Sequence, residues 1–351
     1  MKPKTINQGK NEERTEDYLN LGISIKEEDI RPQRIFDKYL EMTAKDAITY
    51  FGDCTKEATG CPACDREGIL AFHKSGFDYQ ECPECLTLFV SPRPVSEAFD
   101  RYYTEAPSVD FWATTFYKET ADSRREKLWK PKAEMVKKMI HERIDSPKNF
   151  SVVDIGGGYG IFAEEIEKLT DKSCVVIEPG PMLAGICRKK GLVVVEKFLD
   201  LVVSSDLPRG RKVFVSFELF EHLHSPRAFL TSLRDIMSSG DMFIFTTLSG
   251  TGVDIRLLWE NSKSVSPPHH LNFLNPKSIP LLLNKIGLDT LDIITPGKLD
   301  IDIMSNNAEF ISDRFWSSFL ALASDEDKMT MQLAIEKTCS SSHIMVVCRK
   351  P

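Results

Sequence analysis

Residues 151–160, Ser-Val-Val-Asp-Ile-Gly-Gly-Gly-Tyr-Gly, constrain the fold of this chain more than any other segment. An apolar, β-branched run enters a turn rich in glycine, and a helical pattern starts near Ile161. Glycine is required where φ is positive, or where a ligand passes too close to the backbone for a Cβ. From Phe150 onward, short apolar runs alternate with helical segments. Strands are predicted at Ser151–Ile155, Cys174–Ile177, Leu192–Val195, Val213–Phe217 and Met242–Thr247. Such alternation is the mark of a mostly parallel sheet. Two further strands are predicted at Leu288–Ile294 and His343–Cys348. The residues between them read largely as helix, over Ala308–Leu322 and Asp325–Lys337.

Two acids sharpen the meaning of the turn. Asp154 ends the strand before the glycines, and Glu178 ends the next strand in Val175-Val176-Ile177-Glu178-Pro179. An acid at the second position is placed to accept both hydroxyls of an adenosine ribose. Gly158-Tyr159-Gly160-Ile161-Phe162-Ala163 also satisfies the relaxed dinucleotide fingerprint, so the glycines alone leave a nicotinamide cofactor open. Asp154 discriminates between the two. A pyrophosphate turn gains nothing from a carboxylate beside two phosphates, whereas the cationic amino-acid end of S-adenosylmethionine (SAM) is favoured by one.

With these elements the chain resembles the class I SAM-dependent methyltransferases over roughly residues 120–295. Asp154, Gly156, Gly158 and Gly160 match the first motif of that family, and Glu178 its ribose-binding acid. The segment Val213–Leu223, with Glu221-His222-Leu223, matches the fourth strand and the element after it. The resemblance implies a Rossmann-like α/β sheet, mostly parallel with an antiparallel last strand, and SAM as cofactor. It also implies that Phe217 and Glu218 line the pocket for the methionine part of SAM. A hairpin of the last two strands normally closes the sheet in this family. Here a helical insertion at about 295–341 separates them, leaving room for a substrate cap or a dimer contact.

Cys61-Pro-Ala-Cys64 and Cys82-Pro-Glu-Cys85 enclose residues 65–81, a spacing expected of a closed, structural zinc site. Incidental reduced cysteines and a redox role are the competing readings, and neither CxxC opens a helix in a βαβ pattern. Cys54 and His73 are possible substitute ligands. The ribbon, then Phe89-Val90-Ser91-Pro92-Arg93-Pro94, then the pair Tyr102-Tyr103, then the SAM domain resembles the zinc-ribbon methyltransferases of bacterial polysaccharide and deoxysugar biosynthesis. That likeness implies a small-molecule acceptor, an activated sugar or glycan precursor such as a nucleotide sugar.

Composition narrows the alternatives. The net charge is −7, so no whole-protein positive field gathers nucleic acid. No run approaches the ~18 apolar residues of a membrane span, and the first residues have no apolar core of a secretory signal. Nine cysteines without export point to a reducing, cytoplasmic setting. The expected organisation is a loose arm over 1–30, a helix plus zinc ribbon over 31–95, a helical linker or substrate-side cover over 96–145, and the SAM domain over 146–351.

Methyl transfer to a hydroxyl or a carbon acid needs a base. The candidates at carboxyl ends of strands are His222, after the fourth, and His269 and His270, after the fifth, with Asn272 beside them to orient a ring. Tyr102, Tyr103, Trp112 and Tyr117 are candidates to cover the pocket, and Arg124-Arg125-Glu126-Lys127 reads as a solvated face, with contact to a phosphate as the alternative. Two other functions compete: a macromolecule methyltransferase that docks RNA or protein through its ribbon, and a SAM-binding protein without catalysis. The sequence leaves acceptor atom and oligomeric state undetermined.

Overall fold

The computed structural model describes residues 25–144 and 150–351. In chain order, a helix at Gln33–Phe51 precedes five short strands: β1 (Lys56–Glu57), β2 (Ile69–Lys74), β3 (Phe77–Glu81), β4 (Leu88–Val90) and β5 (Arg93–Pro94). Helical chain then runs from Ser96 to Glu105 and from Pro107 to Arg143, the second stretch interrupted by π-turns at Trp112–Phe116 and Arg125–Trp129. The main sheet follows, with β6 (Phe150–Ile155), β7 (Cys174–Ile177), β8 (Val193–Val195), β9 (Arg211–Ser216) and β10 (Met242–Leu248). After β11 (Asn272–Phe273) come β12 (Asp289–Ile294) and β13 (His343–Arg349).

The seven-stranded sheet has the order β12-β13-β10-β9-β6-β7-β8, parallel from β10 to β8, with β13 antiparallel to both its neighbours. Every predicted strand is present, shifted by at most two residues at an end. The insertion does not break the pairing of the last two strands. β12 and β13 lie side by side, and the intervening helices at Asp300–Asn306, Arg314–Leu322 and Asp325–Lys337 fold outside the sheet.

Strand side chains alternate between two cores, as period two requires. Val152, Val213, Val215 and Ile244 face the helices at Lys130–Arg143 and Ile161–Thr170. Val153, Ile155, Phe214 and Phe243 face those at Pro226–Ile236 and Ser278–Ile286. Three of the four ribbon cysteines belong to this second core, so the ribbon is packed onto the sheet domain. The union goes further, because β11, from the segment after β10, pairs with β4 and completes the ribbon's own sheet. Tyr79 and Phe89 of the ribbon are fully buried, and each side chain of this size contributes about 1.5–3 kcal/mol.

The expected arm at 1–30 lies outside the described residues as far as 24. Its last residues are packed: Ile25 and Ile30 are buried, and Glu27–Ile30 forms a helical turn. Glu27 donates its backbone N–H to Asp302 of the insertion (2.7 Å) and accepts from Asn306 (3.1 Å).

Candidate active site

The parallel order reverses between β6 and β9, and ligands bind such sheets in the crevice at the carboxyl ends beside that point. The glycine turn lies there. Gly158 has φ of +54°, and no atom lies within 4 Å of the place its Cβ would take. At Gly157 a Cβ would stand 2.7 Å from Val176 and 2.9 Å from Asp154 Oδ2, so that position is closed to side chains. The turn therefore presses against the acid on one side and opens on the other.

Asp154 is only 2% exposed, and its Oδ2 has no hydrogen-bond partner. Burial, reinforced by the charge of Glu178, pushes its carboxyl up to about 7. A buried acid with an unpartnered oxygen is stabilised by a cation. Glu178 accepts from Gly158 N (3.0 Å) through Oε2 and from Gly180 N (2.9 Å) through Oε1. Each oxygen retains a lone pair for a ribose hydroxyl. Phe217 packs edge-on against Phe162 (4.6 Å) and, with Asp154, Gly156 and Trp129, closes a small pocket beneath the turn. Tyr117 stacks on Tyr159 of the turn (4.1 Å), and Arg125 pairs with Glu164 and Glu165, holding the helical cover over the site.

Glu218, one residue beyond, has φ of +53°, a strained conformation for a residue with a side chain. Its Oε1 accepts from Lys132 Nζ (2.9 Å) and Thr246 Oγ1 (2.9 Å) and lies 3.0 Å from His343 Nε2. Burial alone would raise its carboxyl, but the charges of Lys132 and His343 outweigh it and hold Glu218 well below the usual range. Lys132 also lies over the rings of Trp129 (5.0 Å) and Phe217 (4.9 Å). Beyond this cluster opens a cleft of roughly 1230 Å³, open solvent included, walled by Ile25–Arg31, Arg124–Met135, Pro296–Ile303 and Ser341–Met345. Trp129 borders both pocket and cleft.

Sequence reasoning missed Lys132 and His343. β13 runs antiparallel, so its first residue falls at the carboxyl ends of the parallel strands, with His343 paired to Leu248. That strand direction was the available signal. The tetrad read as a solvated face divides instead: Arg124 and Lys127 line the cleft, while Arg125 grips the helix after the glycine turn.

The three expected histidines converge. His222 lies 4.7 Å from the ring of His270 and 6.1 Å from that of His269. Each is held well below its ordinary pKa by burial, His222 at about 4 and His269 at about 3. All are neutral at pH 7. His269 Nε2 meets Tyr102 Oη (2.7 Å), and His270 Nδ1 meets Ser264 O (2.6 Å), which leaves its Nε2 the acceptor. Burial and the charge of Glu218 push Glu221 up to about 8, so it stands protonated beside His222. Glu221, His222 and His270 present potential ligand atoms within 4.8 Å of one another. The cleft lining includes His343 and none of these three. Asn272 orients no ring: its side chain accepts from Arg93 (2.9 Å) and donates to Leu223 O (2.7 Å), tying the loop to the ribbon. Among the four aromatics, Tyr117 borders the cofactor pocket, Tyr102 is buried against His269, Trp112 stacks on Phe116, and Tyr103 is 41% exposed.

The cysteines form two matched knuckles. Asp65 N donates to Cys61 O and Leu86 N to Cys82 O (both 2.9 Å), with φ of +66° at Asp65 and +59° at Leu86. The Sγ separations of 3.5, 3.4 and 3.7 Å are compatible with a tetrahedral ion, whose thiolates at about 2.3 Å stand about 3.8 Å apart. Cys54 lies outside this group, and His73 is exposed and paired with Asp78 (2.6 Å).

A model of the methyltransferase domain family matches residues 116–293, just over half of the chain. The chain belongs to that family. With the glycine turn, Asp154 and Glu178, it is a SAM-dependent methyltransferase. No curated protein matches its sequence. Solved structures similar to this methyltransferase include the plantazolicin methyltransferase BpumL in complex with SAH, with 14% identity, 71% of this chain and 93% of that one covered, and a TM-score of 0.45. Another is the O-methyltransferase from a trans-AT PKS multienzyme of Brevibacillus brevis, at 12% identity, 67% and 76% coverage and 0.42. A third is the geranyl diphosphate C-methyltransferase of Streptomyces coelicolor A3(2), at 9% identity, 66% and 84% coverage and 0.42. No helix among the described residues is long and apolar enough to cross a membrane.

Proposed function

We propose that this methyltransferase modifies a small-molecule acceptor, an activated sugar or glycan precursor. The observation that carries the small-molecule reading is the cleft. It abuts the cofactor pocket across Trp129 and is walled by the last residues of the arm, the helical cover and the insertion. A concave site of this form suits a compact acceptor better than a nucleic-acid or protein surface.

Bound SAM supplies the methyl group, its C–S bond retaining the electron pair on sulfur as the bond to the acceptor forms. Asp154 and Glu178 hold the two ends of the cofactor, and Phe217 and Trp129 exclude water between them. Alignment then supplies much of the rate. A histidine receives the acceptor's proton: His343 lines the cleft, and His222, clustered with His269 and His270, stands off that lining. The matched knuckles at Cys61, Cys64, Cys82 and Cys85 support a structural zinc. Through β4 and β11, and through Tyr79 Oη on His270 O (2.8 Å), that zinc would steady the loop bearing His269 and His270.

The test is incubation of the full chain with SAM and a panel of nucleotide sugars, read by mass for the gain of one methyl group in place of hydrogen. Transfer to a sugar is expected. Transfer only to RNA or protein substrates would contradict the small-molecule reading, and tight SAM binding with no transfer to any class would favour a binding protein.

A further inference from the structure

The wall of the cleft carries two arginines that form no ion pair with a carboxylate among the described residues. Arg124 is 8% exposed, with its Nε buried and without a partner. Its one polar contact among the described residues is a long one, Nη1 to Ile30 O at 3.4 Å, and its guanidinium lies over the Tyr117 ring (5.5 Å). Arg31, from the last residues of the arm, lines the same wall; its guanidinium lies over the Phe36 ring (5.4 Å) and makes no hydrogen bond or ion pair among the described residues. The lysines nearby are spoken for: Lys127 pairs with Asp29 (2.6 Å), Lys132 with Glu218 and Lys298 with Glu336 (both 2.9 Å).

Burying a guanidinium without a counter-charge is costly, since five N–H donors lose water and gain little. A second guanidinium in the same wall adds like-charge repulsion. Burial is the chief force acting against the charged form of Arg124, and the charge of Arg31 adds to it, while Tyr117 and the more distant Glu218 act the other way. A residue of this kind persists in a cleft when something anionic completes it. The planar fork of arginine matches two oxygens of a phosphate or carboxylate at once.

We propose that Arg124 and Arg31 form an oxyanion-binding subsite, and that the acceptor bears a phosphate or carboxylate group seated between them. The inference rests on the reading of this cleft as the acceptor site. Arg124 lies over Tyr117, which borders the cofactor pocket, so the anion anchors the acceptor at the end of the cleft beside the methyl donor.

The test uses the full-length protein and its Arg124→Met and Arg31→Met variants, with folding checked by circular dichroism. Inorganic phosphate and malonate are titrated separately with and without saturating S-adenosylhomocysteine (SAH), followed by calorimetry, which also gives the SAH affinity. The expected result is saturable anion binding in the wild type, weakened at least about tenfold in each variant, with SAH affinity changed less than about threefold. If Arg124→Met does not fold, Arg31→Met at the cleft edge carries the same expectation. Absence of anion binding in the wild type, or equal binding in wild type and variants, would overturn the subsite. Weakened SAH affinity with no anion binding would assign the arginines to the cofactor's own carboxylate, and would also overturn it. A wild type that binds anions but not SAH would instead undo the methyltransferase reading and leave the subsite standing.

Discussion

The two halves of the active site are built by different means. The cofactor side is local: Asp154, the glycines and Glu178 lie within one β-turn-helix-β unit, and backbone amides of Gly158 and Gly180 hold the acid in place. The acceptor side is assembled from seven distant segments, at residues 25–31, 124–135, 218, 248, 264, 296–303 and 341–345. Its chemistry comes from side chains that meet only in the fold, as Lys132, Glu218 and His343 do. The first half is shaped by steric rules that any SAM site shares. The second is free to vary with the acceptor.

If the ribbon is the scaffold of the acceptor side, removing its ion produces the largest effect. Structural zinc in small modules contributes roughly 10–16 kcal/mol of apparent binding energy. Cys64→Ser or Cys82→Ser is expected to unfold the ribbon, release β11, and lower the yield of soluble protein. Metal analysis and near-UV circular dichroism check this, and a purified protein with well under one zinc per chain would remove the assignment.

The next effect lies in the histidine cluster. If that cluster supplies the base, His222→Ala lowers turnover by about 10²–10⁴-fold while SAM affinity stays within a few fold. A parallel loss in the His269→Ala/His270→Ala double variant would make the cluster act as one unit. Loss of SAM binding in either would move that residue to the cofactor side. Retention of turnover in both would give the proton to another group, of which His343 is the one lining the cleft.

The smallest effect concerns the insertion. Asp254 is fully buried, and burial together with the neighbouring Asp300 pushes it up to about 8. The folded state keeps this proton where the unfolded chain has lost it. Stability from this group is therefore complete below the ordinary aspartate range and lost as pH rises toward 8. The slope is at most about 1.4 kcal/mol per pH unit. Asp254→Asn is expected to flatten the fall in the urea midpoint between about pH 5 and 8. Equal slopes in both proteins would refute it.

The same contrast explains what was legible in the sequence. The strands from Phe150 to Ile294 were readable because β-branched runs and glycine turns act within a few residues, and Asp154 and Glu178 were found by their place at strand ends. Asn272 was read as a partner for the histidines, but a ribbon residue, Arg93, claims its side chain. Arg124 looked solvated beside Arg125, yet the π-turn that starts at Arg125 turns the two to different faces. Such pairings depend on contacts between residues far apart in the chain, for which spacing carries no signal.

The most direct test of the central claim is calorimetric titration of the purified protein with SAH and with NAD, repeated for Glu178→Ala and Gly158→Val. Charged hydrogen bonds of about 1.5–3 kcal/mol imply at least about tenfold weaker SAH binding in Glu178→Ala. Gly158→Val, whose side chain enters the open space over the turn, is expected to abolish binding while the protein remains folded. One SAH site in the wild type, no NAD binding, and these two losses are the predicted result. Tight NAD binding without SAH binding, or unchanged SAH affinity in both variants, would contradict it.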